Sequence, residues 1–165
     1  MSVLIYGKKK LEKAFVVSLL NQTCKNFEVI IVDGGNPSDF ETQNLEGLNC
    51  VMVRDVNQGI SYNGRNKGLY RSSSELIFCL DTDTPLVDTY IEDLLANAKF
   101  LRSYMSELYY EDNEDVLVDA YVTKEGVLFS KKTFLMYGSF DNEVKDDVAD
   151  YLKRIEKKGG KVEYV

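Results

Sequence analysis

A chain of 165 residues with 44% apolar and 28% charged side chains is long enough for one domain whose core needs no disulfide or metal staple. Its 20 basic against 27 acidic side chains give a net charge of −7, which argues against nucleic-acid binding and against attraction to an anionic membrane. Histidine is absent, so Ser-His-Asp and Cys-His catalysis and imidazole zinc sites are excluded, and Cys24, Cys50 and Cys79 are too far apart for a C-x-x-C pair. That cysteine usage points to a reducing cytoplasm, and no stretch has the length of a signal peptide or a membrane span. Chemistry must come from carboxylates, Lys or Arg, hydroxyls, or a metal held through oxygen.

In chain order, Ser2–Tyr6 is a short apolar run that predicts a strand. Leu11, Phe15 and Leu19 then recur at i, i+4 and i+8, with Ala14 beside them, as on one face of a helix. Phe27–Val32 is β-branched and stops at Asp33-Gly34-Gly35-Asn36-Pro37, a strong turn signal, so it reads as a second strand. A weaker helix is expected from Ser38 to about Glu46, a short strand at Cys50–Val53, and a polar, glycine-dotted helix within Ile60–Arg71. Leu76–Leu80 is apolar throughout and stops at Asp81-Thr82-Asp83-Thr84-Pro85. A long amphipathic stripe runs from Val87 through Ile91, Leu94, Ala98 and Leu101 to Met105 and Leu108, followed by an acidic loop at 111–115. Val116–Val122 and Val127–Phe129 read as strands about Glu125-Gly126. Val144, Val148, Tyr151, Leu152 and Ile155 mark a last helix, ended by Gly159-Gly160 before a strand at Lys161–Val165. The alternation in the first half predicts an α/β fold with a mostly parallel central sheet flanked by helices. Ligands of such sheets bind beyond the carboxyl ends of the strands, so the loops after Tyr6, Val32, Val53 and Leu80 should surround the site.

Those loops hold the residues able to do chemistry. Asp81 and Asp83 stand two apart after a buried strand, a spacing that lets both carboxylates meet one hard cation. Their competing use is a capping turn, with Asp83 or Thr84 capping the next helix and Pro85 at its first position. Asp33 either shapes a turn or accepts from a nucleobase N–H. Arg65 either lies on a solvated helix face or grips a diphosphate through two parallel bonds. Asp146 and Asp147 fall in the first turn of the last helix, where negative charge suits the dipole. Asp147 is three residues from Val144 and four from Tyr151, so it borders the packed face and is the better candidate base. Asp146 lies with Asp150 and Arg154 on the wetter side. No G-x-G-x-x-G follows the first strand and no G-x-x-x-x-G-K-[ST] occurs, which disfavours dinucleotide oxidoreductases and P-loop NTPases.

Four segments, in order, resemble family 2 glycosyltransferases of the GT-A fold. Ser18–Thr23 (S-L-L-N-Q-T) with Glu28–Asp33 (E-V-I-I-V-D) is similar to the family's S-L-x-x-Q-T and E-I-I-V-V-D. Asn57-x-Gly59 with Arg65-Asn66-x-Gly68 is similar to N-x-G and A-R-N-x-G, and Leu80-Asp81-Thr82-Asp83 to the D-x-D strand end. Gly138-Ser139-Phe140-Asp141, Asp146-Asp147 and Lys157-Lys158-Gly159 are similar to G-x-F-D, E-D and G-x-x-V. The resemblance spans nearly the whole chain. It implies one GT-A domain over 1–165, with a nucleotide-binding half at 1–85 and an acceptor-side half at 86–165. It implies that Tyr6 and Asp33 contact the donor, Asp33 at the nucleobase, and that Arg65 lies by the base or diphosphate. Asp81 would meet the ribose or the metal, Asp83 would bind Mn²⁺ or Mg²⁺, and Asp147 would be the general base. The implied reaction is an inverting, metal-dependent sugar transfer from a nucleoside-diphosphate sugar, a UDP-sugar favoured, to an acceptor hydroxyl.

The sequence departs from the family pattern at several places. Tyr6-Gly7-Lys8-Lys9 stands where the family has Pro and Asn, Gly34 replaces the second Asp of D-D-G-S, and Gly64 replaces the Ala before Arg-Asn. Asp146 replaces the Glu of E-D, the stretch from Asp83 to Asp146 is short, and the family's C-terminal acceptor elements and Q-x-x-R-W signature are absent. These departures motivate a second reading, a nucleotide-sugar-binding or partner-binding module without turnover. A sugar-phosphate nucleotidyltransferase is disfavoured because no G-x-G-x-R turn follows Ser2–Tyr6. The stripe from Val87 is wide enough for a core or a homodimer contact, with core the expectation.

Overall fold

A computed structural model describes residues 1–6, 11–33, 46–54, 64–81, 84–98, 101–102, 117–141, 143–144 and 146–165. Four strands, β1 (Ser2–Tyr6), β2 (Glu28–Asp33), β3 (Cys50–Arg54) and β4 (Leu76–Leu80), pair in parallel. Beyond them lie β5 (Ala120–Val122), β6 (Gly126–Ser130) and β7 (Val162–Tyr164). β6 runs antiparallel to both β4 and β5, and β7 is parallel to β5. All belong to one sheet of order β3-β2-β1-β4-β6-β5-β7. Its helices are α1 (Lys13–Leu20), α2 (Gly64–Arg71), α3 (Tyr90–Ala98), α4 (Lys131–Tyr137) and α5 (Asp147–Lys157).

Alternation along the strands splits the core into two layers, because successive strand side chains point to opposite faces. Val3, Ile5, Val29, Ile31 and Phe78 pack with Phe15 and Leu19 of α1 and Ile91 and Leu94 of α3. Leu4, Ile30, Val32, Ile77 and Cys79 pack with Leu69 of α2, Phe134 of α4 and Tyr151 and Ile155 of α5. Strands covered on both sides read as continuous apolar runs, which is why β1, β2 and β4 stand out in the sequence.

The differences from the sequence expectation fall mainly in the second half. The stripe from Val87 is not one helix: α3 covers Tyr90–Ala98, and Leu101 already pairs with Val118 in a parallel bridge. Of the strand expected at Val116–Val122, Val116 lies outside the described residues, Val118 is bridged, and Ala120–Val122 forms the strand. Met105, Leu108, the acidic loop and most of the helix expected at 38–46 lie outside the described residues. Thr84 and Pro85 do not start α3, which begins several residues later at Tyr90, and Asp83 lies outside the described residues. α4 is an element that apolar periodicity hides, because Leu135 and Met136 face solvent. Its signals are at its ends, where Ser130 Oγ accepts the Thr133 N–H at 3.1 Å and Gly138 takes φ +87°.

The S-L-x-x-Q-T segment has a structural use. Gln22 is fully buried and donates from Nε2 to the Ser18 and Val87 carbonyls at 3.0 and 2.8 Å. Its Oε1 accepts the Ile91 N–H at 2.9 Å, satisfying a donor in the first turn of α3. Ser18 Oγ likewise accepts the Leu86 N–H at 3.0 Å. Gln22→Ala orphans buried groups on both sides of the α1–α3 junction and is expected to cost about 2–4 kcal/mol. A lower urea midpoint at an unchanged m-value checks this.

Candidate functional site

The site builds from the carboxyl edge of the parallel strands. Register places Tyr6 opposite Val32, Leu80 opposite Ile5 and Asp33 opposite Arg54, so the ends of β1 to β4 form one rim. α2 lies close over β1 and β2 because Gly64 and Gly68 present no side chain on its inner face. A β-carbon at Gly68 would lie 2.0 Å from Leu4 Cδ1, and one at Gly64 would lie 1.7 Å from Tyr6 Cε2. The missing Cβ of Gly64 is thus the space that the Tyr6 ring fills. The two departures from the family pattern, at 6 and at 64, are one packing solution.

Close docking of α2 delivers Arg65 to the rim. Its Nη2 donates to Asp81 Oδ1 at 2.5 Å, and its Nη1 lies 3.8 Å from Asp147 Oδ1. Its guanidinium carbon stands 5.5 Å from the centroid of the Tyr6 ring, a cation–π distance. Arg65 is 13% exposed and Asp147 6%, whereas Asp81 is 43% exposed and open to solvent. Burial alone would push the guanidinium down, but Asp81, then Cys79 and Asp147, outweigh it and hold Arg65 firmly charged.

Asp147 arrives from the other half of the chain. Asp146 caps α5, its carboxylate accepting the Ala149 N–H at 3.0 Å, which sets Asp147 as the first helical residue. Asp150 pairs with Arg154 at 2.9 Å on the wetter face, as its i, i+4 spacing predicts. Asp147 turns inward, and its Oδ2 is buried without a hydrogen-bond partner, as is the Tyr151 hydroxyl one turn on. Burial raises the Asp147 carboxyl above its ordinary range; Arg65 pulls it back in part, and Asp81 pushes it further up.

A carboxyl raised on folding binds its proton more tightly in the native state than in the unfolded chain, whose value is 3.8. Stability from this group is therefore greatest below that value and falls as pH rises through the native one. Asp147→Asn should remove this fall, so that the variant gains on the wild type as pH rises from 4 towards 8. Urea midpoints of the two proteins across that range test it; parallel curves would refute it.

The structure thus gathers Tyr6, Arg65, Asp81 and Asp147 of the residues singled out in the sequence. Asp33 ends β2 on the same rim. Asp83, Lys8, Lys9 and Asn57-x-Gly59 lie outside the described residues. Among the described residues, no three acidic or cysteine side chains gather as a metal site. Sequence reasoning does not single out Cys79, Tyr151 or the pairing of Asn66 with Phe140 around this cluster. Asn66 and Phe140 each sit in a motif, but their contact spans 74 positions and only the fold reveals it.

Residues 3–137 match the family described as Glycosyl transferase family 2. The chain belongs to that family. Its relatives include the poly(ribitol-phosphate) beta-N-acetylglucosaminyltransferase TarP of Staphylococcus aureus (strain N315), 32% identical over 112 residues, 64% of this chain and 31% of that protein. EpsH of Bacillus subtilis (strain 168) is 30% identical over 100 residues, 58% of this chain and 29% of that protein. The chain therefore spans less than a third of the length of these curated relatives. Among solved structures, the mannosyltransferase PcManGT from Pyrobaculum calidifontis, in complex with GDP-Man and Mn²⁺, superposes with a TM-score of 0.67 at 14% identity. It covers 99% of this chain and 54% of that one. Rv0371c from Mycobacterium tuberculosis H37Rv gives 0.58 at 13% identity, over 99% of this chain and 86% of that one. At these identities the likeness establishes the fold, an α/β sheet of the GT-A kind. Among the described residues, no helix is long and apolar enough to cross a membrane.

Proposed function

We propose that this domain transfers a sugar from a nucleoside-diphosphate sugar to an acceptor hydroxyl, inverting the anomeric carbon, with Asp147 as general base. The observation that carries this reading is the buried Asp147 carboxylate, raised by burial and set 3.8 Å from Arg65 beside the Asp81 strand end. A base works best when its pKa approaches the working pH, and burial moves Asp147 in that direction. Asp147 takes the acceptor proton while that oxygen forms its bond to the anomeric carbon. The bond to the diphosphate breaks on the opposite face, and the diphosphate leaves with the electron pair.

The remaining roles follow the positions on the rim. Arg65 offers two parallel donors to the diphosphate. Tyr6 and Asp33, ending β1 and β2, hold the nucleobase, with Asp33 accepting a uracil-type N–H. Asp81 takes the ribose or a divalent cation, for which a half-exposed carboxylate at a strand end is a suitable hard ligand, with Asp83 two residues on. Such an ion, Mn²⁺ or Mg²⁺, would neutralise the departing diphosphate when bound. The halves 1–85 and 86–165 meet here, the first supplying Arg65 and Asp81 and the second Asp147.

A melting-temperature panel with UDP, GDP, TDP and CMP, each with Mn²⁺ and with EDTA, tests the reading. A nucleotide at a hundred times its dissociation constant stabilises by about 2.7 kcal/mol. A rise with one nucleotide, lost in EDTA, supports the donor site; no rise with any of the four overturns it. Arg65 holding Asp81 favours the second reading, a binding module, to the extent that a ligand must displace it. Nucleotide binding without release of nucleoside diphosphate from the matching donor would favour that module.

A further inference from the structure

The Arg65–Asp147 separation is set by no hydrogen bond between the two side chains, and the backbone N–H groups of Asp147 and Val148 that favour the carboxylate belong to α5 itself. At 3.8 Å the separation is too long for a hydrogen bond, and Asp147 Oδ2 has no partner. The two residues lie on helices from different halves of the chain, so the frame between α2 and α5 must set the distance. That frame is the segment 137–140, and it is gripped from both sides. From α2, the buried Asn66 donates through Nδ2 to the Phe140 carbonyl at 2.9 Å and accepts the Phe140 N–H at Oδ1 at 3.0 Å. From α5, Arg154 donates through Nη2 to the Ser139 carbonyl at 2.8 Å and through Nη1 to the Tyr137 carbonyl at 3.3 Å. The Phe140 ring then packs on Tyr151 at 4.6 Å between centroids, one turn beyond Asp147.

A two-point amide pair fixes both distance and orientation, which a single contact does not. Its loss leaves two backbone groups buried and unpaired, so the segment cannot drift cheaply. Asn66 neighbours Arg65 in sequence, and Arg154 lies two turns along α5 from Asp147. Each grip therefore acts on the helix that presents one member of the charged pair.

We propose that Asn66 and Arg154 are positioning residues which, through the backbone of 137–140, fix α5 against α2 and so set the Asp147 carboxylate at its distance from Arg65. This deepens the function proposed above and rests on it for the role of Asp147 as base. The groups acting on that carboxylate are Arg65 on α2, Asp81 and Cys79 at the end of β4, and the backbone N–H groups of Asp147 and Val148 on α5 itself. Movement of α5 changes the first three of these at once.

The test follows the Asp147 carboxyl carbon by ¹³C NMR through a pH titration, assigned by its absence in Asp147→Asn. Asn66→Ala and Arg154→Ala are compared with the wild type and with Gln22→Ala, a destabilising control on the opposite face of the sheet. Both strap variants are expected to move the Asp147 midpoint, and Gln22→Ala to leave it in place. Where turnover of a donor matched to the nucleotide panel is measured, the strap variants should lose kcat on the order of tenfold to a hundredfold, with KM little changed. A midpoint coinciding with the wild type in either folded strap variant overturns the proposal, and so does an equal movement in Gln22→Ala. Should Asn66→Ala not fold, Arg154→Ala decides alone. The titration is read without substrate, so failure of the nucleotide panel marks failure of the glycosyltransferase reading separately.

Discussion

Replacing Asp147 by Asn is expected to abolish sugar transfer, with a loss of two to four orders of magnitude. The amide keeps the shape of the carboxylate but cannot accept the acceptor proton. Because Asp147 stands on α5 and the nucleotide rim on β1, β2 and α2, nucleotide affinity should stay within about twofold of the wild type, the signature of an interaction made only in the transition state. Thermal stability at neutral pH should hold or rise, since the amide removes a buried charge that lacks a partner at Oδ2. Activity lost together with stability would instead indicate a folding defect. Transfer at the wild-type rate in a folded variant would remove Asp147 from the mechanism.

The second large effect is expected from Arg65→Met. Arg65 is the one described cation that faces both Asp81 and Asp147, and methionine keeps much of its packing volume. Removing one member of a buried pair costs about 3–5 kcal/mol, here toward the lower end because Asp81 is open to water. The sign with pH is fixed by the direction of the coupling. Arg65 pulls the Asp147 carboxyl down, so without it that carboxyl rises further and takes up a proton at higher pH. The loss of stability should therefore be large at pH 8 and shrink as the solution is acidified. Adding Asp147→Asn to Arg65→Met should recover much of it, and a double-mutant cycle in urea measures the coupling. Affinity for the nucleoside diphosphate should fall by about 10- to 100-fold, the worth of a pair of charge-assisted bonds, as read by calorimetry. Unchanged nucleotide binding would place the diphosphate elsewhere.

The parts of this fold that are legible in the sequence are those decided locally. Buried parallel strands announce themselves as apolar runs, and β1, β2, β3 and β4 fall within a residue of where those runs lie. Asp81 and Arg65 are legible because a strand end and a helix start place them on one rim. Asp147 follows from its spacing to Val144 and Tyr151, and the structure buries it. What is not legible depends on contacts far apart in the chain. Nothing in Gly126–Ser130 says that it runs antiparallel between β4 and β5. The end of α3 is hidden because Leu101 keeps the helical period yet pairs with Val118. Leu135 and Met136 point outward and blur α4. The link from Asn66 to Phe140 joins two motifs that, read along the chain, have nothing to do with each other.

The fit of the Tyr6 ring into the space above Gly64 also decides which mutational routes are open to this sequence. Alanine is ordinarily the better helix former, by up to about 1 kcal/mol. Introduced at 64 with the ring in place, its methyl group meets aromatic carbons well inside contact distance, and the ring must swing off the helix and leave Arg65. Introduced after Tyr6→Ala, the same methyl meets none of the three ring atoms nearest to it, and the helical preference is realised. One substitution thus changes sign with the residue at another position, which is sign epistasis between two sites 58 positions apart. A lineage or a directed-evolution library can reach the alanine form only in one order, and a screen varying position 64 alone would score its best helix former as a failure.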